Sequence, residues 1–450
     1  MNRQFLWRQY ADNPDYAQRI ALQFEQQSLT WQVFSERIEQ FAFCFVQQGV
    51  KAGHTVALCG KNSLDLLLAY CAVLQLGGRV LLLNPAFSVS KIQQLCRDHQ
   101  AVLLWSEQQC QPLAQVKAQE QFVSLTLTLT SGSSGQPKAV AHRMADHLAN
   151  AQGVCQLMRF QAEHCWLLSL PLFHVSGQGI VWRWLLTGAR LQLVGDNLYV
   201  AMTQATHLSL VPTQLQRWLA YLADNPIQSQ QKQHILLGGS HIPLNLVEQA
   251  EQQGFSCYCG YGMTEMASTV FAKPYDSKAG VGQALAGREY CLVNGEIWLR
   301  GAGLGLGYWQ NGQLTPLCNQ QGWLQTKDRG YWQDNELVIA GRLDNMFISG
   351  GENIQPEEVE KILLQYEHLK QAVVLAVNDP EFGQRPVAMV EFSQGFTQKD
   401  VNKLTHWLSN KLEKFKQPIG YFPLPEQAQS GIKVSRYELQ QQLAKIWDKE

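Results

Sequence analysis

The sequence carries almost no net charge. Its 36 Lys and Arg against 37 Asp and Glu leave −1 over 450 residues, which excludes the broad basic field of a nucleic-acid binder and any acidic tail. An anionic ligand must therefore be held by charges placed locally. Long apolar runs are missing too. The densest, residues 66–74, falls far short of the roughly 20 residues that span a bilayer. Residues 1–20 mix Arg3, Arg8, Asp12 and Asp15 into their apolar positions, so no signal-peptide core is present and no stable membrane insertion is expected. Paired Cys-x-x-Cys spacing is absent. The eleven cysteines, an odd number, read as scattered thiols of a reducing compartment, which points to the cytoplasm. Cys257 and Cys259 share one face of a predicted strand by alternation, and with no further ligands in view core packing suits them better than a metal. Internal repeats and low-complexity segments are also lacking, and the length suggests about three domains.

The most distinctive stretch that is present is residues 128–140, T-L-T-S-G-S-S-G-Q-P-K-A-V. Glycines let several backbone N–H groups converge on one anion, hydroxyls add rotatable donors, and Lys138 adds a point charge. Alone, S-G-S-S-G suits a flexible linker, but the flanks alternate like strands, 122–129 before it and 138–142 after it, and helical spacing begins at Met144. The loop thus joins two strands. A Walker A loop opens a helix directly and needs Lys followed by Ser or Thr, whereas Pro137 precedes and Ala139 follows Lys138 here, which disfavours the P-loop NTPases.

Upstream, helical patterns at 36–50 and 64–76 alternate with apolar strands at 55–58 and 80–83, a βαβ rhythm, and 90–117 reads as helix, strand, helix. Downstream, a strand breaks at Pro171, with His174 at the break and a helix near Ser176. Another meets Pro212-Thr213, where Thr213 is placed to cap a helix carrying Arg217. Two more end at Gly238-Gly239-Ser240 and at Gly260-Tyr-Gly-Met-Thr-Glu265. Strand ends that deliver polar or glycine-rich loops in succession are how open α/β sheets build ligand clefts. After Gly280 the pattern becomes antiparallel, with an Asn294-Gly295 hairpin turn and a small twisted β subdomain running through Asp328 and 336–340. Pro356-Glu-Glu then opens a helix with proline in its first turn and acids near its positive end. The expected fold is α/β: a large N-terminal domain of βαβ-type sheets plus a small β subdomain over 1–343, then a mobile small α+β C-terminal domain over 344–450.

The run T-S-G-S-S-G-Q-P-K, from Thr130 to Lys138, resembles the nucleotide signature of the adenylate-forming superfamily, the acyl-CoA ligases and their relatives. Further segments are similar to the same superfamily: Tyr261-Gly-Met-Thr-Glu265, Thr326-Lys-Asp-Arg-Gly330, the long run from Gly341 through Ser349-Gly-Gly-Glu352 to Glu360, and Gly431-Ile-Lys433-Val-Ser-Arg436. The last departs from the usual Gly-Lys order, because Ile432 intervenes. The resemblance implies an acid activated by ATP with Mg2+ and then transferred to coenzyme A: a carboxylate attacks the α-phosphorus, pyrophosphate leaves, and the thiol cleaves the acyl adenylate. It assigns nucleotide contacts to Thr130, Ser131, Gly132, Ser133, Ser134, Gly135 and Lys138, with Gly239, Tyr261 and Gly262. Thr264 supplies a hydroxyl to the α-phosphate and Glu265 the carboxylate for Mg2+. Asp328 takes the ribose hydroxyls, with Arg342 near the nucleotide. Asp344 is the hinge, Ser349, Gly350, Gly351 and Glu352 form the loop used in thioester formation, and Lys433 is the catalytic lysine.

Within the superfamily, residues 169–179, 211–217 and 347–357 look most like the o-succinylbenzoate CoA ligases of menaquinone synthesis. The expected partner is then a small carboxylic acid, o-succinylbenzoate. His174, counted among the catalytic groups as well, and Ser176 would touch the acid, and Arg217 would pair with its spare carboxylate. The alternatives are a ligase for another aryl or fatty acid, and a luciferase-like oxygenase or a non-catalytic nucleotide binder on the same fold.

Overall fold

The strands Thr55–Cys59 and Arg79–Leu83 are buried at every position, and a strand buried on both faces belongs in a parallel sheet covered by helices. They pair in parallel, Thr55 opposite Arg79, with the helix Leu64–Gln75 as their crossover. That helix is buried from Leu66 through Leu74. The run too short to span a bilayer is thus a core helix, and no helix among the described residues is long and apolar enough to cross a membrane. The computed structural model describes the chain apart from residues 1–4, 26, 107–108, 114–115, 120, 122, 131–137, 226–231, 240–241, 351, 410, 426–434 and 448–450.

Two eight-stranded sheets carry the first part of the chain. In one, Leu125–Thr130 lies parallel to Arg79–Leu83 and antiparallel to Lys138–Arg143, with Thr130 opposite Lys138. In the other, Cys165–Leu167, His207–Leu210, His234–Leu237 and Ser256–Met263 run parallel as neighbours, and Ser268–Pro274 returns antiparallel. Cys257 and Cys259 both face its hydrophobic cluster, and all eleven cysteines are free thiols.

One expectation from the sequence needs correction, and one element of the sheet was not read from the sequence. The predicted second helix of 90–117 is not found among the described residues. Val89–Asp98 and Ala101–Ser106 are followed instead by the strand Gln109–Pro112, which covers the sheet edge antiparallel, Leu103 opposite Pro112. The proline ends that edge strand, where its missing N–H costs no ladder bond. A hairpin, Ile20–Phe24 with Gln27–Thr30, also joins the sheet beside Arg190–Gln192. It leads into the helix Trp31–Gln47, where Trp31 stacks on Trp184 at 5.0 Å.

The chain separates into two compact units. The first holds the described chain up to Tyr290 together with Leu299–Leu324, and the second takes Cys291–Trp298 and the residues from Gln325 onward. This division lies upstream of the 343/344 boundary, because the ladder from Asp328 opposite Arg342 to Gln333 opposite Glu336 groups with the second unit. Asn294 and Gly295 both have positive φ at their turn, as a tight hairpin requires. The second unit has its own core of Ile354, Val359, Leu363, Val374, Val390 and Leu404.

Several histidines are locked inside the first unit as neutral rings. Burial pushes His207 down to about 3, the Met158 carbonyl opposing this and His234 and His164 adding to it, and burial brings His99 and His142 down to about 4. In the unfolded chain each imidazole returns to an ordinary value near about 6.5. Below that pH the unfolded state binds more protons than the folded one, so stability is full above about pH 6.5 and falls with acidification, by about 1.4 kcal/mol per pH unit for each excluded proton. Melting curves between pH 7.5 and 5 should show Tm falling, and His207→Gln should fall less steeply. Parallel slopes for the two proteins would contradict a neutral, buried His207.

Candidate active site at the strand ends

Four strand ends meet along one edge of the second sheet. A Cβ on Gly238 would sit 3.3 Å from the Gly260 carbonyl oxygen, and one on Gly239 (φ 87°) 3.4 Å from the Val211 side chain. The exit of Cys165–Leu167 is clamped by Asn62, whose amide donates to the carbonyls of Leu168 (3.3 Å) and Leu170 (2.8 Å) while its oxygen accepts from the Leu172 N–H (2.8 Å). The clamp fixes the break at Pro171. His174 follows as the N-cap of the helix Val175–Thr187, and it and Ser176 are half-buried. Gly177 is required in this turn, since a Cβ would lie 2.1 Å from the Pro171 carbonyl oxygen.

The neighbouring helix Pro212–Asp224 starts two residues earlier than expected. Its N-cap is Val211, whose N–H donates to Gln214 Oε1 at 3.1 Å, because Pro212 already takes the first helical position; Thr213 is not the cap. The buried stripe of this helix is Leu215, Trp218, Leu219 and Leu222, and Arg217 is exposed on the other side.

Ser256–Met263 ends in a bulge at Tyr261/Gly262, followed by a single turn of 3-10 helix, Thr264–Met266. Ala267 and Ser268 then adopt φ of 55° and 113°, a conformation that side chains other than glycine's enter only under strain. Glu265 is buried in this turn. Its Oε1 accepts from the Tyr308 hydroxyl at 2.9 Å, and its carbonyl accepts from the Gly305 N–H at 2.9 Å. The ammonium of Lys138 lies 5.0 Å from the centre of the same Tyr308 ring. Lys138 and Glu265 are therefore brought to one side chain. Thr130 faces Lys138 across the mouth of the hairpin, whereas Ser131, Gly132, Ser133, Ser134 and Gly135 lie outside the described residues.

In the second unit, Arg342 donates from Nη1 to Asp328 Oδ1 (2.9 Å) and from Nε and Nη2 to the two oxygens of Asp344 (2.8 and 2.9 Å). Asp328, Arg342 and Asp344 thus form one ion-paired group. Ser349 pairs with Glu352 at the hairpin mouth, and the Gly350 N–H donates to the Phe382 carbonyl at 2.9 Å; Gly351 is outside the described residues. So is Lys433, but Arg436, three residues later, is anchored by hydrogen bonds to both oxygens of Glu360 and to the Val374 carbonyl. Burial pushes the Glu360 carboxyl up against the opposing pull of Arg436.

Comparison with known proteins agrees along the whole length. Residues 7–129 and 123–309 match the AMP-binding enzyme family, and 358–428 its C-terminal domain. A 2-succinylbenzoate–CoA ligase of Haemophilus influenzae is 52% identical, with 98% of each chain covered. The chain belongs to the 2-succinylbenzoate–CoA ligases. Among solved structures, an arginine-to-lysine variant of E. coli MenE with bound OSB-AMS is 41% identical, with TM-score 0.87 and coverage of 98% of this chain and 99% of that one. The MenE of Bacillus subtilis in complex with ATP and magnesium ion is 25% identical, with TM-score 0.79 and coverage of 93% and 95%.

Two side chains near these strand ends were not singled out from the sequence. Arg183, on the apolar helix Val175–Thr187, is 1% exposed. Its guanidinium reaches Ser209 Oγ and Thr269 Oγ1, each at 3.3 Å, and lies 5.0 Å over the Trp166 ring, and among the described residues no carboxylate pairs with it. Burial lowers it to about 10. The available signal was a charge inside Val-Trp-Arg-Trp-Leu, a stretch otherwise fit for a core helix. Tyr308 gave no comparable signal, since its partners come from distant parts of the chain.

The bulge that aims Glu265 is sensitive to volume. A Cβ on Gly262 would fall 2.1 Å from the Ser268 carbonyl oxygen, and that backbone cannot yield without opening the hairpin. Gly262→Ala should cost about 1–3 kcal/mol as an overpacked site, seen as a lowered Tm, and should impair ligase turnover. An unchanged Tm and rate would show that the bulge does not set the turn.

Proposed function

We propose that the chain joins o-succinylbenzoate to coenzyme A in two half-reactions. A carboxylate oxygen of the acid attacks the α-phosphorus of ATP, and the bond to the leaving pyrophosphate breaks. The coenzyme A thiol, losing its proton, then attacks the acyl carbon, and AMP departs with the bridging oxygen. The first half brings anions together, so the protein's part is positioning and charge neutralisation.

The observation that carries the choice of acid is Arg183. An acid with one carboxylate needs cations only at the reacting end, and a second, dry guanidinium would be left without a counter-charge. Arg183 is such a guanidinium, held against Ser209 at one strand end and against Thr269, close to the Thr264–Glu265 turn. Its charge suits the spare carboxylate of a dicarboxylic acid. Arg217 is exposed, and the role read for it from the sequence is here proposed for Arg183. His174 and Ser176 remain proposed contacts to the acid.

For the nucleotide, Lys138 with the amides and hydroxyls of Ser131 to Gly135, and Thr130, are proposed to hold the phosphates, Gly239, Tyr261 and Gly262 to line the site, and Thr264 to reach the α-phosphate. Mg2+ keeps most of its water and phosphate ligands and takes one or two carboxylates. Glu265, buried with Oε1 held by Tyr308, fits that requirement, and Mg2+ bound there would neutralise phosphate charge. Asp328 is proposed for the ribose hydroxyls, with Arg342 beside it, and Lys433 for the bridge between carboxylate and α-phosphate. The loop of Ser349, Gly350, Gly351 and Glu352 is proposed to serve the thioester step. Because that loop and Lys433 share one unit, rotation about Asp344 is proposed to present each in turn. The free thiols support a cytoplasmic location.

Incubating the protein with ATP, Mg2+, coenzyme A and a panel of acids should yield AMP and thioester with o-succinylbenzoate far ahead of benzoate or fatty acids. Arg183→Met, which leaves the substrate anion without a partner at a cost of about 3–5 kcal/mol, should lower kcat/KM for o-succinylbenzoate by roughly two to four powers of ten. A monocarboxylic aryl acid should be far less affected, and Arg217→Ala should behave like the unmodified protein. Equal losses for both acids would remove the dicarboxylate assignment. Lys433→Ala should cripple adenylation and spare thioester formation from preformed acyl adenylate; equal damage to both halves would move the catalytic role to another lysine.

A further inference from the structure

We propose that Tyr308 is a positioning residue that orients the Glu265 carboxylate and keeps it apart from Lys138. Its placement follows from strand register. Gly307–Gln310 pairs antiparallel with Lys138–Arg143, Tyr308 opposite Val140 and Trp309 opposite Ala139. Alternation sends Trp309 into the core, fully buried, and Tyr308 to the other face, the face that Val140 shares with Lys138. Tyr308 and Lys138 are thus diagonal neighbours, within reach of an aromatic side chain, which accounts for the ammonium 5.0 Å from the ring centre.

The same segment is tied to the Glu265 turn. Gly305 donates to the Glu265 carbonyl and Leu306 to the Ala141 carbonyl, and a Cβ on Gly305 would lie 2.9 Å from the Val140 side chain, so turn and strand are drawn close. Both charges meet this one side chain, and with it removed their mutual attraction would favour an ion pair. Such a pair would withdraw the ammonium from phosphate and the carboxylate from a metal. Tyr308 offers each charge a separate interaction, its ring face to the cation and its hydroxyl to Glu265 Oε1, and among the described residues no ion pair joins the two. The hydroxyl also fixes which way the second carboxylate oxygen is turned.

The inference rests on the nucleotide reading of this site. The test compares the unmodified protein with Tyr308→Phe, which keeps the ring and loses the hydroxyl, and Tyr308→Leu, which loses both. Binding of ATP with Mn2+, followed by paramagnetic resonance without any acid, should be weakened about tenfold in Tyr308→Phe, the effect of one hydrogen bond to a charged group. Adenylation by this variant should recover at raised Mg2+, thioester formation from preformed acyl adenylate should be unchanged, and Tm should be unmoved. In Tyr308→Leu, raised Mg2+ should not restore adenylation. Unaltered Mn2+·ATP affinity in Tyr308→Phe would overturn the proposal, as would a lowered Tm with equal loss of both half-reactions. If the unmodified protein made no AMP with any acid, the reaction would be wrong, while the Mn2+·ATP binding comparison would still decide the role of Tyr308.

Discussion

A carboxylate and a triphosphate repel each other, and a chain of net charge −1 has no general positive field with which to hold them together. Two unit charges 4 Å apart interact by about 4 kcal/mol at an effective dielectric of 20, so cations at the right places are sufficient if they are not already paired. The structure sorts its cations accordingly. Arg342 and Arg436 are committed to Asp328, Asp344 and Glu360, and they brace the segments around the proposed hinge and after Lys433. Arg183 meets hydroxyls and an indole face, and Lys138 a phenol ring. Cations of this second kind remain available to an anion.

Keeping them so requires a precise backbone. The strand ends are packed too tightly for side chains at Gly177 and Gly262, and the Asn62 clamp holds the break before His174. Strain at Ala267 and Ser268 is carried at the turn that holds Glu265. Gln178 ties the helix of Arg183 to the first sheet by donating to Thr128 Oγ1 at 2.8 Å, two residues before Thr130 pairs with Lys138 at the mouth of the hairpin. The helix that bears the proposed acid contact and the strand that bears the loop are therefore connected by one buried amide.

Much of this was legible in the sequence where the signal is local. The strands at 55–58 and 80–83, the core helix between them, and the turn at Asn294-Gly295 announce themselves by period and by turn chemistry. The site motifs were legible as strand-end loops, and the family resemblance supplied their order. Tertiary facts were not. Gln109–Pro112 has no apolar alternation and becomes a strand only because Ala101–Ser106 offers an edge. Arg217 stood one turn past a strand end, as a cleft residue would, and the period alone could not say that it lies exposed, opposite the stripe of Leu215, Trp218 and Leu222. Arg183 showed in the sequence only as a charge inside an apolar helix, and its neighbours Trp166, Ser209 and Thr269 come from separate strands.

The most direct test of charge neutralisation as the basis of the first half-reaction is isotope exchange of labelled pyrophosphate into ATP without coenzyme A. The exchange should require o-succinylbenzoate and Mg2+, because pyrophosphate can re-form ATP only from an acyl adenylate held in the site. Exchange that proceeds without the acid, or that appears only when coenzyme A is present, would contradict the account.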